Sequence, residues 1–155
     1  MTIYALSSGP GISGIAVIRV SGVKAKDILK SITNGRFPEE RVATLKKLIN
    51  PETQELIDEG IVIWFKGPNS YTGEDMVELH THGSKAVVNK HHYILEKFDE
   101  CRIAVPGEFT KLAFQNNKIN LLKAESIGDL IAAETELQRK QALKIMSGSS
   151  SEQFN

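Results

Sequence analysis

Tyr71-Thr72-Gly73-Glu74-Asp75-Met76-Val77-Glu78-Leu79-His80-Thr81-His82-Gly83 is the stretch on which the reading of the fold turns. Thr72-Gly73 reads as a turn, after which Val77 and Leu79 alternate with Glu78 and His80. A strand of that pattern packs one face inward and presents a carboxylate and an imidazole on the other. Pro106-Gly107-Glu108-Phe109-Thr110 follows downstream. Between them these two segments hold the most site-like concentration of polar chemistry in the chain.

Further elements follow by pattern. Thr2 to Leu6 reads as a short strand, Gly9 to Gly14 as a glycine-rich loop, and Ile15 to Val20 as a second, mostly buried strand. Lys24 to Ser31 has the look of a short helix. Arg41 to Ile49 and Leu56 to Phe65 read as strands on either side of the turn Asn50-Pro51-Glu52-Thr53, and Gly60 to Phe65 is apolar enough for an interior strand. Ala86 to Phe98 carries a helical apolar pattern at Val87, Val88, Ile94, Leu95 and Phe98, with His91 and His92 assigned to its surface. Ile103 to Val105 can return as a strand that Pro106 ends, and Glu108 to Phe114 forms a short helix. Asn120 to Ser147 is the longest periodic segment, with Asn120 as N-cap and Gly148 as stop. At about 1.5 Å per residue that helix would be roughly 40 Å long, and it is expected to leave the first domain and pack elsewhere.

The chain has 155 residues, 41% of them hydrophobic and 25% charged, the balance of a globular protein. That length suffices for one domain with a core, or for a smaller domain and a docking helix. No run approaches the roughly 20 apolar residues that span a bilayer. Nineteen basic and nineteen acidic residues give zero formal net charge, so no global positive field draws the chain onto RNA phosphates. Cys101 is the one cysteine, which excludes an intramolecular disulfide and a multi-cysteine zinc site. The N-terminal residues lack the basic flank and apolar centre of a secretory signal, and the expected location is the cytoplasm.

Gly9, Gly11 and Gly14 satisfy G-x-G-x-x-G, but a strand follows them where nucleotide binding requires a helix. No Gly-Lys-Ser/Thr occurs in the sequence, so this chain is expected not to hydrolyse GTP by itself. Arg19 interrupts an apolar strand. It either pairs with a buried carboxylate or awaits an anionic ligand, because an unpaired guanidinium there is costly. Glu78 can accept two parallel N–H bonds or form an ion pair. Lys118 reads by default as solvated. Glu78, His80 and His82, at i, i+2 and i+4, would share one face of a continuous strand and could form a metal site, the reading of a metal-dependent enzyme.

Four blocks carry a more specific signal: Gly14 to Gly22 (GIAVIRVSG), Ser70 to Gly83 (SYTGEDMVELHTHG), Arg102 to Leu121 (RIAVPGEFTKLAFQNNKINL) and Ala124 to Ile131 (AESIGDLI). In order and spacing they resemble the N-terminal part of the tRNA modification GTPase family MnmE, also called TrmE. Ser84 departs from the family pattern, standing where a second glycine follows His82-Gly83. The resemblance implies an α+β fold, a mixed sheet with short helices similar to the tetrahydrofolate-binding domain of the glycine-cleavage T-protein, over residues 1–118. Residues 119–155 would begin a helical domain and end in a polar tail. It further implies a cofactor, 5-formyltetrahydrofolate or methylenetetrahydrofolate, held at the matching positions Arg19, Glu78 and Lys118, with no catalytic residue and no metal ligand assigned. The implied partners are a second copy of the chain, the flavoprotein MnmG, and tRNA indirectly, in a modification of the wobble uridine. A structural self-association module with a decayed ligand site is the alternative, and the metal-dependent enzyme a further one.

Overall fold

The computed structural model describes residues 1–7, 14–118 and 127–139. Six strands form one mixed sheet: β1 (Thr2–Leu6), β2 (Ile15–Ser21), β3 (Thr44–Ile49), β4 (Leu56–Phe65), β5 (Met76–His82) and β6 (Cys101–Ile103). Their order across the sheet is β3-β4-β5-β2-β1-β6. All neighbours run antiparallel except β1 and β6, which pair in parallel through Thr2 to Tyr4 and Cys101 to Ile103. The architecture is the expected α+β class with a mixed sheet.

One face of the sheet is covered by α1 (Ala25–Ile32) and α2 (Lys85–Leu95). In α1 the buried residues are Ala25, Ile28, Leu29 and Ile32, the i, i+3, i+4, i+7 stripe of an amphipathic helix. Beneath the helices, Val20, Val77, Leu79 and Val62 are fully buried, joined by Ile18, Trp64 and Tyr4 in one continuous core. Ser84 opens α2, its hydroxyl accepting the Val87 N–H at 3.3 Å, so the residue that departs from the family pattern serves as an N-cap.

Among the described residues, the opposite face is covered at one end only. There α3 (Glu108–Gln115) lays Phe109 on Ile3 and Ala5, with Leu112 and Ala104 alongside. Residues 127–139 are helical and form α4, which packs against the start of α3: a Cβ added to Gly107 would meet Ile131 Cγ2 at 2.7 Å. This part of the long helix rests on the sheet domain, because Gly107 lets the two backbones approach closely. Asn120 and Gly148, its expected caps, lie outside the described residues, as do Gly9 and Gly11 of the glycine loop. Among the described residues no helix is long and apolar enough to cross a membrane.

Three local expectations are corrected. The strand expected from Arg41 starts at Thr44, because Arg41 has φ 65° and turns the chain. The return strand is Cys101–Ile103 and not Ile103–Val105, since its register is set by β1. His91 is buried, 3% exposed, with its ring Nδ1–H directed at the Val87 carbonyl at 2.9 Å. His92 packs its ring 5.5 Å from that of Tyr4. Burial, with His91 next to it, pushes the His92 pKa down to about 4, and burial lowers that of His91 as well.

Candidate functional site

Arg19 on β2 and Glu78 on β5 are register partners across the antiparallel pair, and their side chains meet on the less covered face. Arg19 Nη2 donates to Glu78 Oε2 at 3.0 Å, while His80 Nε2 lies 3.2 Å from Glu78 Oε1. The alternation of β5 produces this set: Val77 and Leu79 point into the core, so Glu78 and His80 point to the other side together. Arg19 thus pairs with a carboxylate across the strands. Its side chain and that of Glu78 keep only 19% and 16% of their exposure, so the pair is screened less than a surface one and also loses more hydration.

Arg19 has two aromatic neighbours as well. Its guanidinium carbon lies 5.1 Å from the centroid of the Tyr71 ring and 5.4 Å from that of Phe109, both within cation–π range. Its Nε is buried and has no hydrogen-bond partner among the described residues. Tyr71 is itself held by a 2.9 Å hydrogen bond between its hydroxyl and that of Thr110 in α3. The turn carrying Tyr71 is anchored on both sides: Thr72 Oγ1 lies 2.7 Å from Ser21 Oγ, and the Thr72 carbonyl accepts from Asn116 Nδ2 at 2.7 Å. Gly73, at φ 83°, sits where a Cβ would come within 2.8 Å of the Asn116 Cβ.

Lys118 reaches the site through the way α3 ends. Asn117 adopts φ 59°, its N–H bonds back to the Phe114 carbonyl at 3.1 Å, and the Lys118 N–H bonds to the Ala113 carbonyl at 2.8 Å. This is a Schellman closure with asparagine in the left-handed position, and it swings Lys118 off the helix axis. Lys118 is exposed, as expected, yet it lines one cleft with Glu78. That cleft has a volume of about 620 Å³ and also draws on Arg41, Phe65, Asn69, Ser70, Tyr71 and Met76. Arg19 faces a second, adjoining cleft of about 260 Å³ between the sheet domain and α4, where Ser7, Thr110, Glu134 and Gln138 contribute. Tyr71 lines both.

Three predicted site residues therefore converge in part. Glu78 and Lys118 share the larger cleft, and Arg19 is tied to Glu78 from the smaller one. Tyr71, Arg41 and Glu134 were not singled out from sequence. Tyr71 lay in the quoted stretch without a periodic partner to mark it, and no sequence pattern links Glu134 to residues 24 positions away.

The i, i+2, i+4 trio is not brought together. His82 Nδ1 bonds Asp58 Oδ1 at 2.7 Å, and the His82 backbone N–H bonds Asp58 Oδ2 at 2.9 Å, while Glu78 and His80 pair with each other. Burial raises the Asp58 pKa, but these two bonds, together with the Glu59 backbone N–H and the His82 charge, outweigh it and hold the carboxyl below its usual range. Among the described residues no group of three or more histidine, cysteine or acidic side chains is placed to share a metal ion.

Fold and site together define a class: an α+β domain whose ligand-sized cleft opens beside a cross-strand ion pair on the partly covered face of a mixed sheet. The sequence profile described as the GTP-binding protein TrmE N-terminus matches residues 2–118. The tRNA modification GTPase MnmE of Pelagibacter ubique (strain HTCC1062) is 66% identical over 155 residues, covering 100% of this chain and 35% of the relative. Those of Rickettsia typhi (strain Wilmington) and Zymomonas mobilis (strain ZM4) are 47% and 44% identical over 154 residues, covering 99% of this chain and 35% and 36% of the relatives. The chain belongs to the MnmE (TrmE) N-terminal family, and it spans about a third of the length of the curated relatives it matches.

Proposed function

We propose that this chain binds a reduced folate, 5-formyl- or methylenetetrahydrofolate, and forms the folate-binding and dimerisation part of a cytoplasmic, GTP-dependent enzyme that modifies the wobble uridine of tRNA. The observation that carries this reading is that Glu78 and Lys118 line one cleft and Arg19, facing the adjoining one, is bonded to Glu78, so that residues from three separate sequence blocks come together. The cleft of about 620 Å³ lies within the range of small-molecule and cofactor sites, roughly 300–1,000 Å³.

The donor set suits the ligand. A pterin ring offers adjacent N–H donors, and each Glu78 oxygen retains a lone pair beyond its bond to Arg19 or His80. Phe65 and Tyr71 supply aromatic walls, Lys118 a mobile cation for the glutamyl carboxylates, and Arg41 a second one. Arg19 Nε is an unsatisfied donor beside the site. When bound, the folate supplies the one-carbon unit of the modification. The residues of this chain bind and orient it and exclude water on the sheet side.

GTP hydrolysis, the flavoprotein partner MnmG and tRNA contact belong in this reading to the enzyme as a whole. Self-association is supported by the part of the sheet face that no helix among the described residues covers. There Leu45 is 60% exposed beside partly buried Ile61, Ile63 and Phe65, an apolar surface of the kind a second copy covers.

Titration calorimetry with 5-formyltetrahydrofolate tests the ligand. Binding is expected, and Glu78→Ala should weaken it by about 1.5–3 kcal/mol, the value of a hydrogen bond to a charged group. An unchanged affinity in that variant sinks the assignment. Sedimentation at micromolar concentration should give a mass near twice 17.1 kDa, and a clean monomer at high concentration refutes the dimer.

A further inference from the structure

We infer that Glu134, on α4 and outside the ligand cleft, is a positioning residue for the folate site, setting the geometry of Arg19 and Glu78 through α3 and Tyr71. The inference rests on the folate reading above, and the connection is continuous. Glu134 Oε2 accepts the backbone N–H of Thr110 at 3.1 Å, and Gln138 Oε1 accepts that of Gly107 at 3.4 Å. Both N–H groups belong to the opening turn of α3, whose unpaired donors and dipole attract a carboxylate. Thr110 is buried, and its hydroxyl holds that of Tyr71 at 2.9 Å. The Tyr71 ring and Phe109, also in the first turn of α3, are the two aromatic groups beside the Arg19 guanidinium, which in turn holds Glu78.

Each link has one geometry. Phe109 is fully buried and Gly107 is packed against Ile131, so the opening turn of α3 and α4 move together or lose contact. Loss of the Glu134 bond leaves the Thr110 N–H without its partner and frees the turn that carries both contacts to Arg19. α4 thereby acts on a cleft that it does not line, since the 620 Å³ cleft includes no residue of 127–139.

The test uses the whole 155-residue chain. Affinity for 5-formyltetrahydrofolate is measured by calorimetry, and the Arg19 Nε–Hε resonance, assigned through Arg19→Lys, is followed by NMR without ligand. Glu134→Ala is expected to weaken binding about tenfold, or about 1.4 kcal/mol, and to shift the Arg19 resonance. Glu134→Gln keeps a carbonyl oxygen for Thr110 and should restore most of both. In a Tyr71→Phe background, which removes the hydroxyl link, Glu134→Ala should lose most of its additional effect, the mark of a shared path.

Wild-type affinity or an unmoved Arg19 resonance in Glu134→Ala overturns the positioning role, while a weakened Glu78→Ala would leave the folate reading standing. If the unmodified chain binds no folate, that reading falls and the Arg19 resonance decides the coupling alone. A shift in Glu134→Ala that is absent in Glu134→Gln supports it, and no shift refutes it.

Discussion

The two faces of β5 differ by one residue and by almost everything else. Val77 and Leu79 are fully buried under the helices, opposite Val20 and Ile18 of β2. Glu78 and His80, on the alternate face, keep 16% and 31% of their side-chain exposure; Glu78 meets Arg19, and His80 meets Glu78. One face holds the sheet to its helices by area removed from water. The other is built from directional contacts whose partners can be exchanged for a ligand. Because the strand period is two, the sequence can alter binding without altering the core.

That division can be broken most forcefully at Leu79. Leu79→Ala should lower unfolding stability by about 2–5 kcal/mol, as for other buried leucines, while the molecules that remain folded keep the folate affinity of the parent. Urea unfolding and calorimetry measure the two quantities separately. A collapse of affinity in the folded fraction would mean that the two faces are not independent.

Acid should act on the covered face next. His92 stays neutral down to about pH 4 in the folded chain, whereas an imidazole in the unfolded chain takes its proton near 6.5. Between those values the unfolded state binds more protons, so stability declines as pH falls, by about 3 kcal/mol over the window. His92→Phe should flatten the decline in a pH series of thermal unfolding, and an unaltered slope would assign the acid sensitivity to other groups.

On the open face the effects are smaller. Glu78→Gln keeps shape and one acceptor but removes the charge opposite Arg19, and should cost about 1 kcal/mol of stability, the upper range for a cross-strand opposite-charge pair. A loss as large as that of Leu79→Ala in the same urea assay would contradict the contrast. Lys90→Ala, which removes an exposed 3.2 Å ion pair with Glu55, should change stability by less than about 0.5 kcal/mol and mark the floor of the series.

Much of this was legible before the structure. The bounds of β1 and β4 coincide with those read from apolar runs and turns, and β5 was legible because its alternation survives a site on one face. Ile103 and Val105 misled because β6 is a short, exposed edge segment, and its register depends on parallel pairing with residues about 100 positions earlier, which leaves no local pattern. His91 was misplaced although a signal existed: Val88, His91 and Leu95 stand at i, i+3 and i+7, so the imidazole lies on the buried stripe of α2. Of the site, Glu78 and Lys118 were reachable through motif blocks. Tyr71 was not, because its importance comes from Thr110 and Arg19, which only the folded chain brings to it.

The parallel pairing of β1 with β6 also has a history within each molecule. β1 is buried along its whole length, yet one of its two edges is filled by residues 101 to 103, which leave the ribosome about 80 residues after β2 is complete. At about 5–20 residues per second, synthesis leaves that edge open for roughly 4–16 seconds. During the interval an apolar strand with free N–H and C=O groups is open to pairing with any neighbouring chain.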